Sequence, residues 1–127
     1  MPGEAVLDTN AVVLMLNGRL DPLRLGFEEI IIPITAVGEL FFGVHKSARF
    51  SENRLKLFAL LDLVSILEAG LDIAERYGKI KLALRRAGTP IPDNDMWIAA
   101  TALEHGLPIV TNDKHFTYIE GLEIVRY

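Results

Sequence analysis

An α/β fold built on a mostly parallel sheet, with helices covering both faces, is what this sequence predicts, and two observations carry the prediction. Short apolar runs recur along the chain, and longer segments with helical periodicity lie between them. Strands separated by helices return in the same direction through right-handed crossovers, which leaves the sheet covered on both sides. The chain has 127 residues, enough for one core and not for two, so a single domain over 1–127 is expected.

The first strand is Glu4 to Leu7, followed by a short apolar helix from Ala11 to Leu16 that Asn17-Gly18 ends. "IIIPI", Ile30 to Ile34, is the second strand, with Pro33 near its end. Thr35 then caps a helix running to about Ser47, and Ser51 opens another over "ENRLKLFALLDL". Val64 to Leu67 reads as a short strand. Leu71 to Arg86 sets Ile73, Ala74, Tyr77, Ile80, Leu82 and Leu84 among five basic residues, the pattern of a long amphipathic helix, and Gly88 closes it. Thr89-Pro90-Ile91-Pro92 breaks the chain, Asp93 or Asn94 caps the helix "DMWIAATALEH", and Gly106 stops it. "PIVT" (108–111) and "LEIV" (122–125) are the last two strands.

Half the residues are hydrophobic and 24% are charged, the balance of a globular protein. With 13 Lys and Arg against 17 Asp and Glu the net charge is −4, which argues against broad electrostatic binding of nucleic acid while leaving room for a local basic patch. Zero cysteines exclude disulfides and thiolate metal sites. No basic leader precedes the first apolar run and no apolar stretch reaches the roughly 18 residues of a membrane span, so a cytoplasmic protein without a membrane partner is expected.

Parallel sheets place ligands outside the carboxyl ends of their strands, where the strand order reverses. Asp8 follows the first strand directly, and Asp113 follows "PIVT" after Asn112. Glu39 lies four residues beyond Thr35, in the second turn of the helix that leaves the second strand. Asp95 sits in the first turn of its helix, above the stripe of Ile98 and Ala99. Singly, Asp8 and Asp95 suit helix caps or the positive end of the helix dipole, and Asp113 suits a turn. Glu39, among Ala36, Leu40 and Gly43, needs a partner. Four acids at one sheet edge with no matching Arg or Lys in the same segments would repel one another, and a divalent cation removes that conflict. Hard oxygen donors favour Mg²⁺ or Mn²⁺ over zinc, and a cluster of this kind suits phosphodiester hydrolysis.

Asp8-Thr9-Asn10, Thr35-x-x-x-Glu39, "DNDMWIAATALEHGLPIVTND" at 93–113 and "HFTYIEGLEIV" at 115–125 together resemble a PIN-domain nuclease, specifically the VapC-type toxin branch. The resemblance covers nearly the whole chain. It implies that Asp8, Glu39, Asp95 and Asp113 form a catalytic, metal-binding acidic site, that the activity is an endoribonuclease acting on RNA, and that a cognate antitoxin blocks the site. It also implies a five-stranded parallel sheet, an α/β/α sandwich in which the first strand and "PIVT" are neighbours. Asp93 leaves an ambiguity beside Asp95, and the Ile98-Ala99 spacing favours Asp95. Within the same fold, a nuclease of RNA processing or a non-catalytic RNA-binding scaffold is the alternative; a scaffold would normally lack one of the four acids.

Thr9, Asn10, Thr35, Thr111, Asn112 and His115 are further candidates. Thr9, Asn10, Thr35, Thr111 and Asn112 suit positioning of water or substrate phosphate and equally suit caps and turns, with Thr9 and Thr111 favoured, and His115 reads as a rim residue that would join Thr9, Thr111 and Asn112 in that role. His45, His105 and His115 are too scattered in sequence to declare a ligand set. Trp97 reads as core or dimer packing rather than a base-stacking platform. Basic residues gather at 45–56 and again at 76–86, as a solvated face or an RNA track. A phosphoaspartate hydrolase of the haloacid dehalogenase type would need an Asp where Asn10 stands, and a receiver domain would need a pair of early acids where only Asp8 is found. Phe41, Phe42, Val44, Phe50, Leu57, Phe58 and Leu61 exceed what one helix face buries, so a homodimer is expected. An acidic pocket suits an inserted Arg or Lys of the antitoxin, and a short amphipathic helix suits an apolar groove beside it.

Overall fold

The computed structural model describes residues 3–127; residues 1 and 2, the start of the span expected for the single domain, lie outside the described residues. The five strands are β1 (Gly3–Leu7), β2 (Phe27–Pro33), β3 (Ser65–Leu67), β4 (Ile109–Val110) and β5 (Ile124–Val125). The α-helices are α1 (Thr9–Leu16), α2 (Ile34–His45), α3 (Phe50–Leu61), α4 (Leu71–Ala87) and α5 (Asp93–Glu104), with short 3₁₀ turns at Pro22–Leu25 and Lys114–Tyr118. All strand pairs are parallel, in the order β3-β2-β1-β4-β5. The chain therefore builds outward from β1 to β3, then crosses back to lay β4 on the other flank of β1. That reversal lies between β1 and β4, and in open parallel sheets the carboxyl edge at such a point is where ligands bind.

Ala5, Val6 and Leu7 of β1 are fully buried, as are Ile32 of β2 and both residues of β4, which is why these strands read as unbroken apolar runs. In α5, Met96, Ile98, Ala99, Ala100 and Ala102 are all buried, and the small alanines let it pack closely in the core. Phe116 is fully enclosed and ties the 3₁₀ turn after β4 to the core, an anchor of about 1.5–3 kcal/mol. Gly88 follows α4 at φ 72°, a conformation costly for any residue with a Cβ.

Several helix starts differ from expectation. Pro33, rather than Thr35, occupies the cap position of α2, so Thr35 falls inside the helix and Ile34 leaves the strand. Pro92 likewise takes the cap position of α5 instead of Asp93 or Asn94, and Arg49 that of α3 instead of Ser51. The two prolines already hold the extended backbone that a cap needs, at ψ 146° and 144°, so these helices begin without a side-chain cap. Strand β2 starts three residues earlier than its apolar run, because Phe27 and Glu29 pair with β1 at the solvated amino end.

The residues expected to be surplus to the core divide. Val44 and Leu57 are buried, and Phe41 and Leu61 pack partly against the core, whereas Phe42, Phe50 and Phe58 are exposed together with Leu55. Trp97 is half-buried and stacks on Tyr77 with ring centroids 4.2 Å apart, a packing role. No helix of the described residues is long and apolar enough to cross a membrane.

Candidate metal centre

The register of β1 on β4 builds the centre. Leu7 pairs with Val110, so the next residues, Asp8 and Thr111, emerge side by side at the carboxyl edge. Asp8 is buried and is the N-cap of α1: its Oδ1 accepts the Ala11 backbone N–H at 2.8 Å. Its Oδ2 accepts the Thr111 hydroxyl, whose oxygen in turn accepts the backbone N–H of Asp113 at 2.9 Å. The cap reading and the site reading of Asp8 thus describe two oxygens of one carboxylate.

Because α2 follows β2 without a loop, its second turn brings Glu39 back over the same edge. There the Thr9 hydroxyl, on the first residue of α1, donates to Glu39 Oε1 at 2.8 Å. Asp95, in the first turn of α5, and Asp113 meet at His115: the ring Nδ1 lies 3.1 Å from Asp95 Oδ2 and 3.2 Å from Asp113 Oδ1. Asp113 also fixes this turn by accepting the His115 backbone N–H at 2.9 Å. One donor atom each from Asp95, Asp113 and His115 lie within 4.8 Å of one another.

Electrostatics tie the four acids together. Burial pushes the Asp8 carboxyl above its ordinary range, the hydrogen bonds from Thr111 and Ala11 oppose this, and the charges of Asp113 and Glu39 push it further up. Asp95 is raised for the same leading reason, with His115 opposing and Asp113 and Glu39 adding to the rise. Among the described residues no Lys or Arg forms an ion pair with any of the four acids. Partly desolvated like charges with oxygen donors and no basic partner fit a hard divalent cation, which would relieve both the burial and the repulsion. Among the described residues the Thr35 hydroxyl oxygen, one helical turn before Glu39, is buried without a hydrogen-bond partner.

The remaining candidates are placed as follows. Asp93 turns away, held by the Tyr77 hydroxyl at 2.9 Å and the Lys81 ammonium at 3.2 Å, and these partners lower its pKa. Asn10 is exposed. Asn112 spends its side chain on the backbone of Tyr127, donating to the carbonyl at 2.8 Å and accepting the N–H at 3.0 Å. His45 stacks on Phe50 in the α2–α3 region, and the His105 ring contacts the Thr101 carbonyl at the end of α5, so neither joins His115. Sequence reasoning put His115 at the rim because the three histidines are scattered; the usable signal was its position two residues beyond Asp113, where a tight turn folds the ring back. A groove of about 310 Å³ opens beside Glu39 and Thr9, lined by Val13, Leu16, Leu40 and Leu57 with Asn53 and Lys56 at its polar margin.

A family model described as "PIN domain" matches residues 5–122. Ribonuclease VapC4 of Mycobacterium tuberculosis is 29% identical, with 95% of each chain covered, and Ribonuclease VapC2 of Rickettsia felis is 31% identical, with 92% of each covered. Among solved structures, VapBC2 from Rickettsia felis, bound to a DNA fragment from its promoter, superposes with a TM-score of 0.88 at 27% identity, covering 98% of both chains. A parallel five-stranded sheet with the acids at its reversal point, and likeness along nearly the full length of these relatives, lead to one assignment: the chain belongs to the PIN domain family, in its VapC branch.

Proposed function

We propose that this protein is a divalent-metal-dependent endoribonuclease, the toxin half of a toxin–antitoxin pair, using Mg²⁺ or Mn²⁺ in the cytoplasm. The observation that supports it is the meeting of Asp8, Glu39, Asp95 and Asp113 at the carboxyl edge without a Lys or Arg among them. These four carboxylates would hold the ion, which when bound supplies positive charge for a phosphate oxygen and lowers the pKa of a coordinated water. Thr111 orients Asp8 and the Asp113 backbone at once, and Thr9 fixes one oxygen of Glu39. With the carboxylates committed to the ion, a water would attack the phosphorus in line, the ester P–O bond on the opposite side would break, and the leaving oxygen would take a proton from solvent, with no covalent enzyme intermediate expected. Purified protein should cleave RNA with Mn²⁺ or Mg²⁺, lose cleavage in EDTA, and lose it on Asp8→Asn; cleavage unaffected by chelation would overturn the reading.

The partners follow from surfaces beside the site. Glu39 and Thr9 line the apolar groove together with Leu40 and Leu57, so a short amphipathic helix of the antitoxin would lie along it with an Arg or Lys reaching the acids. The solved relative is a VapBC complex, consistent with such a partner. If the neighbouring reading frame encodes no small protein that copurifies, the toxin assignment loses its main support. Exposed Phe42, Phe50, Leu55 and Phe58 on α2 and α3 support a homodimer, against which a monomeric mass by light scattering at micromolar concentration would count.

A further inference from the structure

We propose that His115 is itself a ligand of the divalent ion, its Nδ1 completing a mixed nitrogen–oxygen set with Asp95 and Asp113 that favours Mn²⁺ over Mg²⁺. The inference rests on the metal-dependent reading above and adds a residue to it.

The two edges from Nδ1, 3.1 Å to Asp95 Oδ2 and 3.2 Å to Asp113 Oδ1, carry the argument. Adjacent ligands of an octahedral ion are separated by about 1.4 times the ligand distance, so bonds of about 2.1–2.2 Å set neighbouring donors about 3.0–3.1 Å apart. The ring nitrogen already stands at about that spacing from carboxylate oxygens on two different elements, and one donor atom from each of the three residues lies within 4.8 Å of the others. Little has to move to keep them there. The His115 backbone N–H is bound to Asp113 Oδ1, and the next residue, Phe116, is fully buried, so the ring is carried on an anchored turn. Its side chain is 37% exposed, which leaves the ion a way in from solvent.

The chemistry gives the selectivity. Mg²⁺ prefers oxygen donors and sheds its water reluctantly, whereas imidazole nitrogen suits transition metals, and Mn²⁺ is the one that also suits carboxylates. An all-carboxylate set would accept either ion, and one ring nitrogen tilts it toward Mn²⁺. His45 and His105 have other neighbours and contribute nothing to this set.

The test is pulsed EPR on Mn²⁺-loaded protein grown with ¹⁵N-histidine, which reads nitrogen bonded to the ion independently of cleavage. A ¹⁵N coupling should be present in the wild type, persist in the double variant H45Q/H105Q and vanish in H115Q. By calorimetry, H115Q should weaken Mn²⁺ binding about tenfold and Mg²⁺ binding less than about threefold. If H115Q does not fold, the coupling retained in H45Q/H105Q still assigns it to His115. Stoichiometric Mn²⁺ binding without any nitrogen coupling would overturn the proposal and leave the metal-dependent reading standing. Absence of Mn²⁺ and Mg²⁺ binding would overturn both.

Discussion

Thr111 and Asp8 stand 103 residues apart in sequence and share a buried hydrogen bond across the β1–β4 seam. The hydroxyl donates to Asp8 Oδ2 and receives the Asp113 N–H, so one small side chain sets the positions of two acids. Its methyl lies in a fully buried environment that valine would also fill. Thr111→Val should therefore keep the packing, strand a buried carboxylate oxygen and cost about 1–3 kcal/mol. Thr111→Ser should retain most of the stability. Chemical denaturation of the two variants checks this; a loss in Thr111→Ser with none in Thr111→Val would mean that the methyl, and not the hydroxyl, matters.

Asp8→Asn tests whether like charge is stored in the metal-free protein. The substitution removes one charge from the cluster and leaves an oxygen to cap α1, where Asn serves about as well as Asp, while the new amide N–H donates to the Thr111 hydroxyl and reverses that hydrogen bond. The variant should melt higher than the wild type in EDTA. Added Mn²⁺ should stabilise the wild type by about 2.7 kcal/mol at a hundredfold excess over its dissociation constant, and the variant much less. Four melting curves decide the matter, and identical melting temperatures throughout would make Asp8 a cap and nothing more.

Acidity should stabilise the metal-free fold over the window that these groups control. Both Asp8 and Asp95 have raised carboxyl pKa values, so between the ordinary unfolded value and the raised folded one the native state binds more protons than the unfolded chain. Stability falls as pH rises through that window and is flat with respect to these two groups above it. Asp8→Asn and Asp95→Asn should each flatten the slope in EDTA, measured as denaturation free energy against pH from the ordinary carboxylate range upward. A wild-type slope unchanged by both substitutions would rule out this source.

Asn112 should behave as a structural residue. Its amide holds the Tyr127 backbone from both sides, which fixes the segment after β5 against the turn after β4. Asn112→Ala should cost about 1 kcal/mol through those lost hydrogen bonds and leave the Mn²⁺ dissociation constant within about twofold. A large loss of metal affinity at full stability would instead place Asn112 in the site.

The order of strands and helices was legible because buried parallel strands must be apolar on both faces, and Val6, Leu7, Ile32, Ile109 and Val110 satisfy that in plain sequence. The acids at the ends of those strands were legible too, since a carboxylate directly after a buried run has no architectural excuse beyond a cap. Helix boundaries at Pro33 and Pro92 were not, because a proline with extended ψ and a capping hydroxyl or carboxylate compete for the same position and local sequence does not say which prevails. Only tertiary structure decided which residues of the neighbourhood meet at the carboxyl edge. Strand register carries Thr111 onto Asp8, a 3₁₀ turn anchored by Phe116 swings His115 onto Asp95, and contact with Tyr77 and Lys81 draws Asp93 away. Each of those outcomes depends on partners at least 12 residues distant in the chain, and a pattern of nearest neighbours carries no record of them.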